Sequence, residues 1–441
     1  MRAGGSRNSF LRRVAVDVRP LRYPDFRRLF VGQGVAFIGF QLTAVAVAVQ
    51  MYDVTGSSLW VGLLGVAALV PLVVLGLYGG SVSDAVDRRT LLISASLAAW
   101  AVTGALFVQA LVGDGDRWVL LALVALQSAA FAMSSPTRGA LVPRLLPLEL
   151  VPAGNTLNFT MSNFGSVLGP LIAGVVLVHG GYAWAYGIDA ALFTAGLYAA
   201  LRLPAMRPLG ATVRPGLRSV LAGLAFIGTR PVLLMSFVVD IVAMVLAMPR
   251  ALFPEVADEK FNGAGSAAWL FAAISIGSVV GGLLSGWIGR VNRQGLALLV
   301  AVAAWGASVA MSGLAQSLWL VVVLLAVAGA ADLVSGVYRQ TILQTFAPDE
   351  MRGRLQGVFI VVVAGGPRLG DLRAGAAADA YGVTAAWVGG GLACVVVVAL
   401  VAVFSPGLRG YRRTDSIKSS TGTSTSSAQP KDSVTPAPPC P

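Results

Sequence analysis

Charge is scarce in this sequence. Charged residues make up 12% of the 441 residues, against about 25% in ordinary soluble domains. The chain has one histidine and two cysteines; Cys394 lies in an apolar run and Cys440 in the terminal tail. We therefore expect no disulfide, no metal site of the usual ligands and no cofactor.

Motifs of enzymes are also missing. There is no G-x-x-x-x-G-K-[ST] phosphate loop and no histidine within a predicted span, so nothing converges into a catalytic site. A sensor would need an appended signalling domain, and the tail is not expected to form one. A membrane enzyme or sensor is therefore the remote alternative among the functional classes.

Long apolar runs dominate what is present. The mean hydropathy is +0.78, and a spanning helix needs about 20 mostly apolar residues. Twelve such runs are predicted, at residues 29–51, 58–79, 90–112, 118–135, 155–178, 184–202, 231–249, 266–289, 295–313, 317–338, 355–380 and 383–404. The sequence predicts an all-α integral membrane protein with twelve transmembrane helices.

The net charge of +12 comes from basic residues that are unevenly divided between the two sides of the membrane. Arginines concentrate in the loops on the side of the N-terminus, where Arg138, Arg339, Arg352 and Arg354 are predicted to anchor cytoplasmic loops; Arg117, Arg250 and Lys260 are the basic residues of the opposite loops. This asymmetry predicts a plasma-membrane protein with both termini cytoplasmic and the lipid bilayer as its partner. It argues against nucleic-acid binding.

Composition divides the chain into five parts. A basic cytoplasmic arm (1–28) precedes a six-helix bundle (29–202), a cytoplasmic central loop (203–230), a second six-helix bundle (231–404) and a tail (405–441) predicted to be disordered. Within the central loop, the short apolar segment 217–228 favours an interfacial helix.

The two bundles repeat one another. Arg138 matches Arg339 at an offset of 201 residues, and three glycines of span five match three of span eleven at the same offset: Gly165, Gly169 and Gly174 with Gly366, Gly370 and Gly375. Repeats in the same orientation predict two bundles related by an axis along the membrane normal, with a substrate site between them near the midplane.

Several motifs resemble those of the major facilitator superfamily. They are Gly80-x-x-x-Asp84…Arg88-Arg89, Arg138…Leu141-Val142-Pro143, Gly165-x-x-x-Gly169-Pro170, Leu252-Phe-Pro-Glu255 and the run Leu343–Arg354. The chain looks most like the bacterial enterobactin-exporter-like and drug-efflux group. The resemblance implies the major facilitator fold over residues 20–404.

The loop between spans two and three contains Gly80, Asp84, Arg88 and Arg89. Glycine permits a tight turn, and the arginines can pair with carboxylates or lipid phosphates. One interpretation is a basic turn that sets topology. The resemblance implies instead a gating latch, in which Asp84 holds span eleven in one access state.

The motif Gly165-x-x-x-Gly169-Pro170-x-x-Ala173-Gly174 puts small residues on one helical face of span five. Small residues allow close helix packing, and the proline predicts a local break compensated by neighbouring helices. The motif also resembles one associated with antiporters of the superfamily, which implies a conformational role in export.

Acids inside spans are expensive and usually functional. Asp240, Asp332 and Asp371 are candidates for proton coupling or substrate contact, with Asp240 first because no arginine is close to it in sequence. A satisfied interior acid is the alternative. Asp371 is expected to pair with Arg368, and Pro367 predicts a break in span eleven.

Together these features predict a secondary transporter that exports a small amphipathic molecule, such as a siderophore or antibiotic, in exchange for protons. Import by symport is the competing direction. A monomer is expected.

Overall fold

In a computed structural model, the protein is almost entirely helical. The structure describes residues 17–412 apart from Val86, Asp114, residues 204–216, Asn262 and residues 349–350. Over these residues the α-helices are α1 (Pro24–Thr55), α2 (Ser58–Ala85), α3 (Arg88–Val112), α4 (Arg117–Leu145), α5 (Val151–Leu201), α6 (Leu217–Gly228), α7 (Pro231–Ala247), α8 (Phe253–Phe261), α9 (Ala264–Leu283), α10 (Gln294–Leu314), α11 (Leu318–Phe346), α12 (Arg352–Tyr381), α13 (Val383–Phe404) and α14 (Pro406–Gly410).

Twelve crossings are confirmed over the described residues. Helix α5 is two spans in one, because Gly181 at φ 70° turns the chain back. By length and hydropathy, ten helical segments could cross a membrane. α12 is not among these ten segments because Arg368, Asp371 and Arg373 make it too polar. Its 30 residues are nevertheless long enough to cross the membrane.

Chain direction gives the bundle two ends. We call the end where α1 begins and α13 finishes the terminal end, and the other the far end. The boundaries at both termini differ from the prediction: α1 begins at Pro24, inside the predicted arm, because a proline suits the first helical position. Residues 405–412 of the predicted tail are ordered through α14, and the Gly295 amide donates to the Tyr411 carbonyl at 3.3 Å. Residues 413–441 lie outside the described chain.

The expected break in span eleven is wrong. α12 is continuous through Pro367, and α5 is likewise continuous through Pro170. The break lies in span seven, where α7 ends at Ala247 and a short 3-10 helix (Arg250–Leu252) leads into α8. Pro249 stands in this break, and α7, the 3-10 helix and α8 together make one span of 31 residues.

Glycine contacts follow the repeat. In α5, Gly165 and Gly169 lie directly against α1, at Phe37 and Ile38. In α12, Gly366 and Gly370 lie in the same way against Met244 and Met248 of the seventh span. The predicted close packing is therefore present in both halves.

The third glycine of each set crosses between the halves. Gly174 of α5 meets Ala268 of α9, and Gly375 of α12 meets the backbone of Ser58 in α2. Since side chains larger than hydrogen would separate these helices, the glycines bring the N-terminal half (α1–α5) into direct contact with the C-terminal half (α7–α13).

Candidate functional site

A buried ion pair lies at the centre of the C-terminal half. The guanidinium of Arg339 in α11 pairs with the carboxylate of Asp240 in α7, and the two side chains are 5% and 2% exposed. The other carboxylate oxygen of Asp240 has no hydrogen-bond partner, and Asp332 lies nearby. Buried charges without such pairing are strongly destabilising, so each residue depends on the other.

This pair corrects two expectations. Arg339 is not a loop anchor, because α11 continues to Phe346 and carries it into the bundle core. Asp240 is not without an arginine, since its partner comes from a helix 99 residues further along the chain.

The other predicted loop anchors are also helical. Arg138 lies within α4, half-buried over the ring of Phe131, with 5.8 Å from its guanidinium carbon to the ring centroid. Arg352 and Arg354 begin α12, and their side chains lie outside the described part of the structure.

The sequence predicts Arg250 in an outer loop, but the break in span seven places it inside the bundle. It lies close to Asp332 and Asp371, and its Nε is buried without a hydrogen-bond partner. Pro249 is the sequence signal that could have revealed it. Asp371 and Arg368 form no ion pair in the described structure; the Arg368 guanidinium donates to the carbonyl of Ala364.

Arg373 stabilises the broken end of α7. Its guanidinium donates to the carbonyls of Val245, at 3.1 Å, and of Leu246. It also donates to the Ala386 carbonyl in α13. Carbonyls at a helix C-terminus lack partners and carry partial negative charge, so a cation there both satisfies and neutralises them.

The N-terminal half holds one fully buried acid, Asp189 in α5, within the described residues. The hydroxyl of Thr43 donates to it at 2.6 Å and that of Thr103 at 3.4 Å. Among described residues no cation pairs with it. Both hydroxyls donate to the same oxygen, Oδ2, and the other carboxylate oxygen is buried without a hydrogen-bond partner.

A cavity of about 310 Å³ opens between α1, α4 and the first arm of α5, toward the terminal end. Its polar lining residues are Gln33, Arg138, Asn155, Asn158 and Ser162, and its aromatic ones are Phe26, Phe30 and Phe37. A smaller cavity shares Arg138 and Phe37 and reaches Gln127. Concave sites with apolar walls and a few polar groups are typical of small-molecule binding.

The predicted gating loop is mostly helix. Gly80 and Asp84 belong to the last turns of α2, so residues 86–87 alone connect it to α3, which Arg88 begins. The side chains of Asp84 and Arg88 lie outside the described structure. Asp87 caps α3 by accepting from the Arg89 amide at 2.8 Å, and the Arg89 guanidinium donates to the Leu201 carbonyl at 2.9 Å.

At the far end, side chains join the two halves. The Ser58 hydroxyl of α2 donates to the Glu255 carboxylate of α8. The neighbouring Ser57 hydroxyl donates to the Asp379 carboxylate of α12 at 3.0 Å. Sequence reasoning did not find these contacts, because each joins residues far apart in the chain.

Two six-helix halves related by a parallel repeat are the architecture of transporters of the major facilitator superfamily. Solved structures share this fold: the nucleoside transporter NupG (TM-score 0.71, 13% identity, 87% of this chain and 99% of that one), and a D-xylose-proton symporter (TM-score 0.67, 14% identity, 88% and 99%).

The chain belongs to the transmembrane secretion effector family of this superfamily, which matches residues 15–426. Among curated relatives, it is similar to the enterobactin exporter EntS of Shigella boydii serotype 18, with 29% identity over 89% of this chain and 94% of the relative. EntS of Escherichia coli O1:K1 is 28% identical over the same shares. The family is one of transporters, not enzymes.

Proposed function

We propose that this protein exports a small amphipathic molecule of the siderophore class in exchange for protons. The Asp240–Arg339 pair carries the proposal. A carboxylate buried in a membrane bundle can exchange its charge for a proton, and protonation would remove the attraction that joins α7 to α11. The pair is therefore suited to couple a proton to a helix rearrangement.

Export as the direction has separate support. The curated relatives are named exporters of enterobactin. The cavity beside Arg138 lies toward the terminal end, while Ser57 and Ser58 join the halves at the far end. A second cavity, of about 660 Å³, lies at the far end and is lined by residues of the C-terminal half alone. With cytoplasmic termini, this is a state that loads substrate from the cytoplasm.

Enterobactin uptake into inverted vesicles tests the coupling. With an acidic lumen, the wild-type protein should accumulate enterobactin against its gradient. Asp240→Asn should retain exchange of enterobactin at equilibrium but lose accumulation. Asp258→Asn, an exposed acid on α8, is the matched control and should behave as wild type.

Undiminished accumulation by Asp240→Asn would remove this residue from the coupling step. Accumulation in right-side-out vesicles with an acidic exterior, and none in inverted vesicles, would favour a symport importer instead.

Cytoplasmic termini can be tested with the native thiols. Cys394 is buried in α13, so Cys440 is the thiol to follow. A membrane-impermeant maleimide should label inverted vesicles and spare intact cells, with Cys440→Ser as the control. Labelling of intact cells would place the C-terminus outside.

Two further roles belong to this proposal. One is a gating latch formed by Gly80, Asp84, Arg88 and Arg89, and the other is an export-linked conformational role of Gly165, Gly169, Pro170 and Gly174. Coupling or substrate roles for Asp332, Asp371 and Arg368, and a monomeric state, belong to it as well.

A further inference from the structure

The repeat pairs Arg138 of α4 with Arg339 of α11, and the two arginines differ in their surroundings. Arg339 has a carboxylate partner in Asp240. Arg138 forms no ion pair with any described residue. The Nε of each arginine is buried without a hydrogen-bond partner, so the carboxylate is what distinguishes the two. Withdrawing a cation from water without a counter-charge is costly, so the half-buried Arg138 favours an anionic partner.

The position equivalent to Asp240 can be located in two ways. α1 and α7 both begin with proline, Pro24 and Pro231, and counting from these makes Gln33 the counterpart of Asp240. The carbonyls of Ile38 and Met244 meet equivalent glycines of α5 and α12, and counting from them gives Gly34. Either way, the N-terminal half has no carboxylate where the C-terminal half has one.

The other neighbour of Arg339 is also replaced. The ring of Phe359 lies 5.7 Å from the Arg339 guanidinium carbon. At the offset of 201 residues its counterpart is Asn158. Gln33, Gly34, Asn158 and Arg138 all line the cavity of the N-terminal half. The cavity therefore lies where a carboxylate and an aromatic ring fill the C-terminal half.

From this we propose that the cavity binds an anionic aromatic compound, with its carboxylate or phenolate on Arg138 and its ring among the phenylalanines of α1. The ligand thus supplies the two groups that Asp240 and Phe359 supply in the other half. The buried Oε1 of Gln33, also without a partner, can accept a hydrogen bond from a hydroxyl of the ligand. The inference rests on the proposed function and names the class of its substrate.

Equilibrium binding to the purified full-length protein tests this site without any gradient. The probes are 2-hydroxybenzoate and its neutral analogue 2-hydroxybenzamide, measured by titration calorimetry. Wild type should prefer the anion by roughly 10- to 100-fold, the value of one hydrogen bond to a charged group. Arg138→Gln should abolish the preference. Arg202→Gln, an exposed arginine over Tyr198, should keep it.

Gln33→Glu provides a second test that leaves Arg138 in place. It introduces the carboxylate that the C-terminal half already has, so it should pair with Arg138 and suppress anion binding even if Arg138→Gln fails to fold. Equal affinity of wild type for the two probes, or undiminished anion binding by Gln33→Glu, would overturn the proposal. If either result is found while gradient-driven transport is intact, the binding proposal fails and the proposed function stands. If the anion binds but no transport is measured, the proposed function fails and the binding proposal stands.

Discussion

The two halves of the bundle share one arrangement of glycine contacts, but they carry charge differently. In the C-terminal half, neighbouring charges form a series that runs from the Asp240–Arg339 pair through Asp332 and Arg250 to Asp371. In the N-terminal half, the equivalent arginine stands beside a cavity. The glycine contacts are thus the same in both halves while the charged side chains differ: one half has an ion pair in its core, and the other has an arginine beside a cavity.

The largest expected effect comes from breaking the ion pair on one side. Arg339→Gln leaves Asp240 buried without a counter-charge, so it should cost about 3–5 kcal/mol of stability. Thermal unfolding of the purified protein measures this. The double variant Asp240→Asn with Arg339→Gln should recover most of the loss.

Arg138→Gln is the control from the other half. It has no ion pair to break, so it should cost far less than Arg339→Gln. Equal losses for the two arginines would contradict the contrast between the halves.

The glycines that cross between the halves come next. A methyl group at Gly174 or Gly375 would meet Ala268 or the Ser58 carbonyl. Gly174→Ala and Gly375→Ala should each cost about 1–3 kcal/mol through overpacking and slow transport. Because no atom lies within 4 Å of an added methyl at Gly104 or Gly389, alanine there should be neutral or stabilising by up to about 1 kcal/mol. If all four variants lost stability and transport to a similar extent, the contact between the halves would not be the cause.

The loop between spans two and three also differs from its counterpart in the second half. Its counterpart in the second half has Gly286 in the position of Asp84. If the latch is one-sided, Asp84→Asn should slow enterobactin transport at least about fivefold, the lower end of typical coupling between sites. Arg290→Ala should do less. Transport equally intact in both variants would reduce the loop to a topology signal.

The smallest effect is expected at Asp189. The hydroxyls of Thr43 and Thr103 donate to one oxygen of its carboxyl group, and the other oxygen has no hydrogen-bond partner. An asparagine oxygen can accept the same two bonds. Asp189→Asn should therefore cost about 1 kcal/mol and leave proton-driven accumulation intact. Loss of accumulation comparable with that of Asp240→Asn would move the coupling acid into the N-terminal half.

Much of the architecture was predictable because it depends on local signals. Apolar runs located the spans, and glycine spacing located the repeat, since both are properties of short segments. α12 shows the limit of hydropathy alone: its charges conceal it from a length-and-hydropathy criterion, yet its place in the repeat identifies it.

The position of the helix break is what the sequence predicts wrongly. Pro367 was expected to break a helix, but α12 continues through it, whereas Pro249 does end one. Proline removes one backbone donor in either case; the outcome depends on what compensates. At the end of α7, Arg373 comes from another helix to satisfy the exposed carbonyls.

The sequence by itself determined that this chain crosses the membrane twelve times as two parallel repeats, because apolar length and glycine periodicity act within each helix. The tertiary structure alone decided which charges meet. It brought Arg339 to Asp240 across 99 residues and left Arg138 beside a cavity, because the pairing of side chains depends on how α7 packs against α11 and α1 against α4. Those contacts lie between helices, where no pattern within one segment can record them.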